Sequence, residues 1–157
     1  MRGFTRERGG YRADFAPEEA AMLADLARQV AGLVESRSGR LDPALLRLLP
    51  DAYPEDPEAS AEFRRFTDDD LASRKIVNAG ILAGSLAEAA AASAPTRVRL
   101  DEETAQAWMR ALTDIRLTLA ARLGIEHDED EGDDPALRLV YDWLGFVQGS
   151  LVDAVDR

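Results

Sequence analysis

The chain has 157 residues, 46% hydrophobic and 31% charged, the composition of one globular domain (1–157) able to bury a core without staples. It contains no cysteine, which excludes disulfides, thiolate metal sites and thiol chemistry. A net charge of −11 argues against direct DNA binding, which needs a basic surface to neutralise phosphates.

Residues 2–15 carry Phe4, the pair Gly9-Gly10 and the alternation Tyr11, Ala13, Phe15. Glycine supplies the positive φ of a tight turn, so this segment reads as a β-hairpin. Arg2, Arg6, Arg8 and Arg12 make it a net-positive arm, suited to an anionic partner or to a solvated strand edge. From Pro17 to about Arg37 apolar residues recur at spacings of three and four: Met22, Leu23, Leu26, Val30, Leu33, Val34. Pro17 fits a first helical turn, Glu18-Glu19 suit the positive end of the helix dipole, and Ser38-Gly39 is the expected stop.

Asp42-Pro43 is a cap followed by a first-turn proline. Leu45, Leu46, Leu48 and Leu49 are too many for one face of two turns. That short helix is either nearly surrounded by protein or offers leucines to a partner. After the turn Asp51-Ala-Tyr-Pro-Glu, Asp56-Pro57 repeats the cap-and-proline signal, and Phe63 and Phe66 flank Arg64-Arg65. Thr67-x-x-Asp70 resembles a capping box and opens a helix expected to run to about Ala92, with a core stripe through Leu71, Asn78, Leu82, Leu86 and Ala89. Its alanine-rich end has high helix propensity but little to bury, and fraying is expected there.

Arg97-Val-Arg-Leu100 alternates and reads as a short strand pairing with the hairpin. Asp101 caps a helix with the stripe Trp108, Leu112, Ile115, Leu119, Leu123, which Gly124 closes. Residues 126–134 form an acidic loop, expected to be solvated and flexible, and it fails as an EF-hand. Placing Gly132 at the sixth position puts His127, Glu129, Glu131 and Arg138 at the ligand positions. Asp134-Pro135 starts the last helix. Leu137, Val140, Leu144, Val147, Leu151 and Ala154 form its core stripe, with Leu139, Trp143 and Phe146 off it. A helix apolar on two sides is central in the fold or shared between subunits, and a homo-oligomer, a dimer, is the expectation. The fold class expected is mainly α: about six helices with a small antiparallel sheet from the hairpin (about 2–15) and a central strand (about 97–100).

Chemical motifs are absent. His127 is the one histidine and lies in the acidic loop, and no GxGxxG, Walker loop or HExxH occurs. Neither a catalytic set, a metal site nor a cofactor is expected. No apolar run approaches the ~18 residues of a membrane span, and MRGFTRERGGY lacks a signal-peptide core, so a cytoplasmic location is expected.

The block LLPDAYPEDPEASAEFRRFTDDDL, the helix VRLDEETAQAWMRALTDIRLTLAARLGI and the segment VYDWLG resemble the actinobacterial AosR family of oxidative-stress transcriptional regulators, formerly a domain of unknown function. The resemblance covers nearly the whole chain. It implies a non-enzymatic regulator acting through protein contacts, with a sigma factor or another part of the transcription machinery as partner. Redox sensing in that family is understood to use cysteines, so a disulfide switch cannot be carried over. The alternatives are a structural adaptor without ligand and a small carboxylate-based enzyme. The candidate partner-binding residues are Leu45, Leu48, Phe63, Arg64, Arg65, Trp143 and Phe146, taken from the surplus leucines, the paired phenylalanines and the off-stripe aromatics.

Overall fold

A computed structural model describes residues 1–37, 42–50, 55–63, 69–127 and 129–157. Within them the expected fold class holds: a small three-stranded antiparallel sheet and seven helices, one more than expected. The strands are β1 (Thr5–Glu7), β2 (Gly10–Phe15) and β3 (Thr96–Leu100), in the order β1-β2-β3. The helices are α1 (Pro17–Glu35), α2 (Pro43–Leu48), α3 (Pro57–Phe63), α4 (Asp69–Ser85), α5 (Ala87–Ala91), α6 (Glu102–Leu123) and α7 (Pro135–Asp156).

The hairpin turn is Arg8-Gly9, with Gly9 at φ 86°, and Gly10 already pairs with Glu7. Gly10 is needed for another reason: a Cβ there would lie 2.0 Å from the Leu100 carbonyl oxygen, where β3 closes on β2. Tyr11 pairs with Leu100, Ala13 with Val98 and Phe15 with Thr96, so the alternate residues Tyr11, Ala13, Phe15, Val98 and Leu100 all face inward. The outer face is charged, with Arg97 on Asp14 at 3.0 Å and Arg99 on Glu7 at 3.2 Å.

α6 occupies the middle. It packs against α1, α2, α4 and α7 and against the sheet. Trp108 is fully buried and stacks its edge against Phe4 (5.4 Å, 83°) and, tilted, against Phe15 (5.9 Å). The Phe4 N–H donates to Ser150 Oγ at 3.0 Å, which ties the arm preceding β1 to α7.

Aspartates start four helices as the sequence pattern requires. Asp42 accepts from the Ala44 N–H, Asp56 from Ala59, Asp101 from Thr104, and Asp134 from Ala136 and Leu137. α1 starts differently: Ala16 offers no side-chain acceptor, and Glu19 reaches back to its N–H at 2.8 Å. Gly124 (φ 73°) ends α6 as expected, and Ile125 N–H closes on the Ala120 carbonyl at 2.8 Å.

Two expectations are corrected. The single helix to Ala92 breaks at Leu86, whose N–H bonds back only three residues to Ala83, so α5 is separate. Its alanine-rich turn packs rather than fraying: Leu86 and Ala89 are fully buried, and α5 lies on α1, where small side chains on both helices permit close approach. The Ser38-Gly39 stop, the turn at 51–54 and the Thr67 capping position lie outside the described residues.

The aromatic cluster yields a stability test. Trp108→Ala is expected to cost about 3–5 kcal/mol in urea unfolding followed by circular dichroism. Trp108→Phe should cost much less, because the indole Nε1 has no hydrogen-bond acceptor among the described residues and phenylalanine keeps the ring contact. Equal losses for both variants would contradict a packing role.

Candidate functional site

Two surface features stand out against the acidic exterior. The first is the outer face of α7. Its inner line is the expected core stripe from Leu144 through Val147 and Leu151 to Ala154. On the opposite side Leu139 is 71% exposed and Phe146 47%, with half-buried Trp143 between them. Spacings of four and three put all three on one face. A polar seam holds α7 to α6. Gln148 donates to Thr113 Oγ1 at 2.7 Å and to the Met109 carbonyl at 3.2 Å, and it accepts from Arg116 at 3.1 Å. Arg116 lies over the Tyr141 ring at 4.8 Å, and Arg138 approaches it at 5.4 Å.

The second is a cleft of about 650 Å³ between α4 and α6. Its floor holds Asp114, the one buried charged residue among the described residues, whose Oδ1 accepts from Lys75 Nζ at 2.7 Å. Burial holds the Asp114 carboxyl above the usual carboxylate range, and the Lys75 ammonium pulls it part of the way back. Leu71 and Val77 form apolar walls, and Arg74 and Arg110 stand at the rim without an ion-pair partner among the described residues. Such a cleft suits an apolar body carrying an anionic group. Among the described residues no three His, Asp or Glu side chains are grouped to hold a metal ion. The acidic loop spends part of its charge internally: Asp130 accepts the N–H groups of Glu126 and His127 at 3.0 Å each, which lower its pKa.

The sequence-derived contact residues separate. Trp143 and Phe146 share the α7 face. Leu45 and Leu48 are 1% and 2% exposed, spent in the chain's own core, and this corrects their reading as a partner surface. The cause is the seating of α2. α2 packs on α6 with Leu45, Leu48 and Leu49 inward and only Leu46 outside, and Asp42, its cap, also accepts from two guanidinium nitrogens of Arg122 on α6 at 2.7 and 2.9 Å. Arg64, Arg65 and the Phe63 side chain lie outside the described residues. The Lys75–Asp114 pair escaped sequence reading because the two are 39 residues apart. Its one local signal was Asp114 falling in line with buried Ala107 and Ala111, a position the helical period assigns to the core.

A family model described as a domain of unknown function, DUF2017, matches residues 1–155. The protein named oxidative stress regulator AosR in Mycobacterium tuberculosis is 30% identical over 186 aligned positions, covering 94% of this chain and 83% of the relative. The same name and figures hold for the Mycobacterium bovis protein. A Mycobacterium leprae protein named putative oxidative stress regulator AosR is 28% identical, covering 92% and 82%. No solved structure matches the chain.

The cleft floor gives a signed pH prediction. Lys75→Met strips Asp114 of its counter-charge and should cost about 3 kcal/mol at neutral pH. Without Lys75 the Asp114 pKa rises further. The folded state then holds its proton where the unfolded state has lost it, so stability falls as pH rises from the ordinary carboxylate range through the raised pKa. The deficit should shrink on acidification, and Lys75→Met/Asp114→Leu should recover much of it, read from urea midpoints between pH 4 and 8. A pH-independent deficit would contradict the coupling.

Proposed function

The chain belongs to the DUF2017 family, and on that premise we propose that it is a single-domain, non-enzymatic cytoplasmic regulator of the oxidative stress response that works by protein–protein contact with the transcription machinery. Relatives named oxidative stress regulators support the regulatory role. No helix among the described residues is long and apolar enough to cross a membrane.

The observation that carries the contact reading is the α7 outer face. Leu139 and Phe146 stay exposed on a chain of net charge −11, next to the half-buried indole of Trp143. Aromatic and aliphatic anchors set on a rigid helix are the parts from which protein interfaces draw most of their energy. The same acidity disfavours reading DNA phosphates directly and leaves a protein surface as the route to promoters. With no cysteine in the chain, any response to oxidant must reach it without a disulfide of its own.

The test is affinity capture of the tagged protein from extract of its own cells, with and without oxidant, read for sigma factors and polymerase subunits. Wild type should recover at least one of them, and Phe146→Ser or Leu139→Ser should weaken that recovery by about tenfold while helicity is unchanged. Absence of every such subunit from both wild-type samples would overturn the reading.

A further inference from the structure

The outer face of α4, which shares Val77 and Arg74 with the wall and rim of the cleft, carries a surface separate from that of α7. Residues 76–87 contain no charge in a chain that is 31% charged. In the folded chain that run is not hidden: Val77 is 58% exposed and Ile81 38%, with Gly80 and Gly84 exposed beside them. The two glycines lack an internal explanation. Neither has a positive φ, and a Cβ on either would meet nothing within 4 Å. Glycine destabilises a helix interior relative to alanine, and here nothing within the fold offsets that. Gly32 of α1 and Gly149 of α7 are equally open, but neither has a second open glycine one turn away, since a Cβ on Gly145 would press on the Arg116 guanidinium at 3.3 Å.

We propose that α4 is the seam of a homodimer, packed antiparallel on α4 of a second copy across a two-fold axis between Gly80 and Ile81. The pattern of large and small residues is self-complementary about that point. The operation sets Val77 over Gly84 of the second copy and Ile81 over Gly80, and the reciprocal contacts follow from symmetry. Each branched side chain meets a position with no Cβ, so the helices can approach more closely than the about 8–10 Å usual for packed helices. The same operation carries Arg74 past the end of the second copy's α4, to the level of Ala87 in α5, so the seam is made by Val77, Gly80, Ile81 and Gly84 and needs no ion pair. The charge pattern selects a second copy over a highly charged partner. Two chains of −11 repel, and the charge-free run is where they meet with least repulsion. Dimerisation should therefore strengthen as salt screens that repulsion, whereas docking of an acidic segment on Arg74 and Arg110 would weaken.

Sedimentation velocity on the purified full chain, at low and physiological salt, tests this. A dimer is expected, tighter at higher salt. Ile81→Glu should weaken it by about a hundredfold, because it buries an unpaired carboxylate, with an unchanged circular dichroism spectrum. Gly80→Ala/Gly84→Ala should move two readouts in opposite directions, raising the thermal midpoint of the dilute monomer and weakening the dimer. Since the chain has no cysteine, Ile81→Cys should give a disulfide-linked dimer on mild oxidation, and Leu139→Cys on α7 should not. A monomer at all salt concentrations would overturn the proposal. So would a dimer that survives Ile81→Glu or cross-links through Leu139→Cys instead.

Discussion

The contact of Trp108 with Phe4 and Phe15 is the constraint on which the rest of the arrangement depends. A three-stranded sheet with one strand of three residues is marginal by itself in water. What fixes this sheet is the indole of α6, which meets one ring from the arm before β1 and another from the end of β2. Because Phe4 also bonds to Ser150 through its N–H, the same cluster sets α7 on the sheet edge. Once the sheet is seated on α6, the remaining helices have defined places. α1 and α4 lie on one flank, α2 is clamped by Arg122, and α7 covers the other side through the Gln148 seam.

The acidity of the chain looks at first like a solubility device, and part of it is. A good share of the carboxylates, though, have local tasks. Four aspartates cap helices, Glu19 closes the start of α1, and Asp42 serves both as a cap and as the partner of Arg122. The Arg122 hydrogen bonds, helped by the Ala44 N–H, hold the Asp42 carboxyl below the ordinary range, so this contribution is present at neutral pH and lost as pH falls through the lowered pKa. Some of the basic residues are similarly spent. Of the N-terminal arm, Arg12 faces Glu7 and Arg6 donates to the Arg157 carbonyl while lying over Tyr11. Two of the arm's four arginines are thereby held within the fold rather than free to bind an anion.

How far the surface was legible follows from the same accounting. The exposure of Phe146 was legible because the helical period sets it off the core stripe, and a period is a local property; Trp143, equally off the stripe, packs half-buried against the core. Leu45 and Leu48 were misread because two turns of helix cannot say what surrounds them. Their burial depends on α6, a helix distant in the chain whose Arg122 reaches Asp42 across 80 residues. The Lys75–Asp114 pairing was hidden for a like reason: the helical period puts Asp114 in line with the core, but its partner lies 39 residues away on α4. The exposure of Gly80 and Gly84, and the open space where each Cβ would stand, likewise required the fold.

By itself the sequence determined the helix starts, the hairpin, the central strand and the inner stripes of α6 and α7, because caps, turns and hydrophobic periods act between residues a few positions apart. It also ruled out thiol chemistry and disfavoured a phosphate-reading surface. The tertiary structure alone decided the break at Leu86, the inward turn of the α2 leucines, the buried ion pair and which apolar residues face water. Each of these depends on what lies opposite a residue in space, and that is settled by packing between segments far apart in the chain.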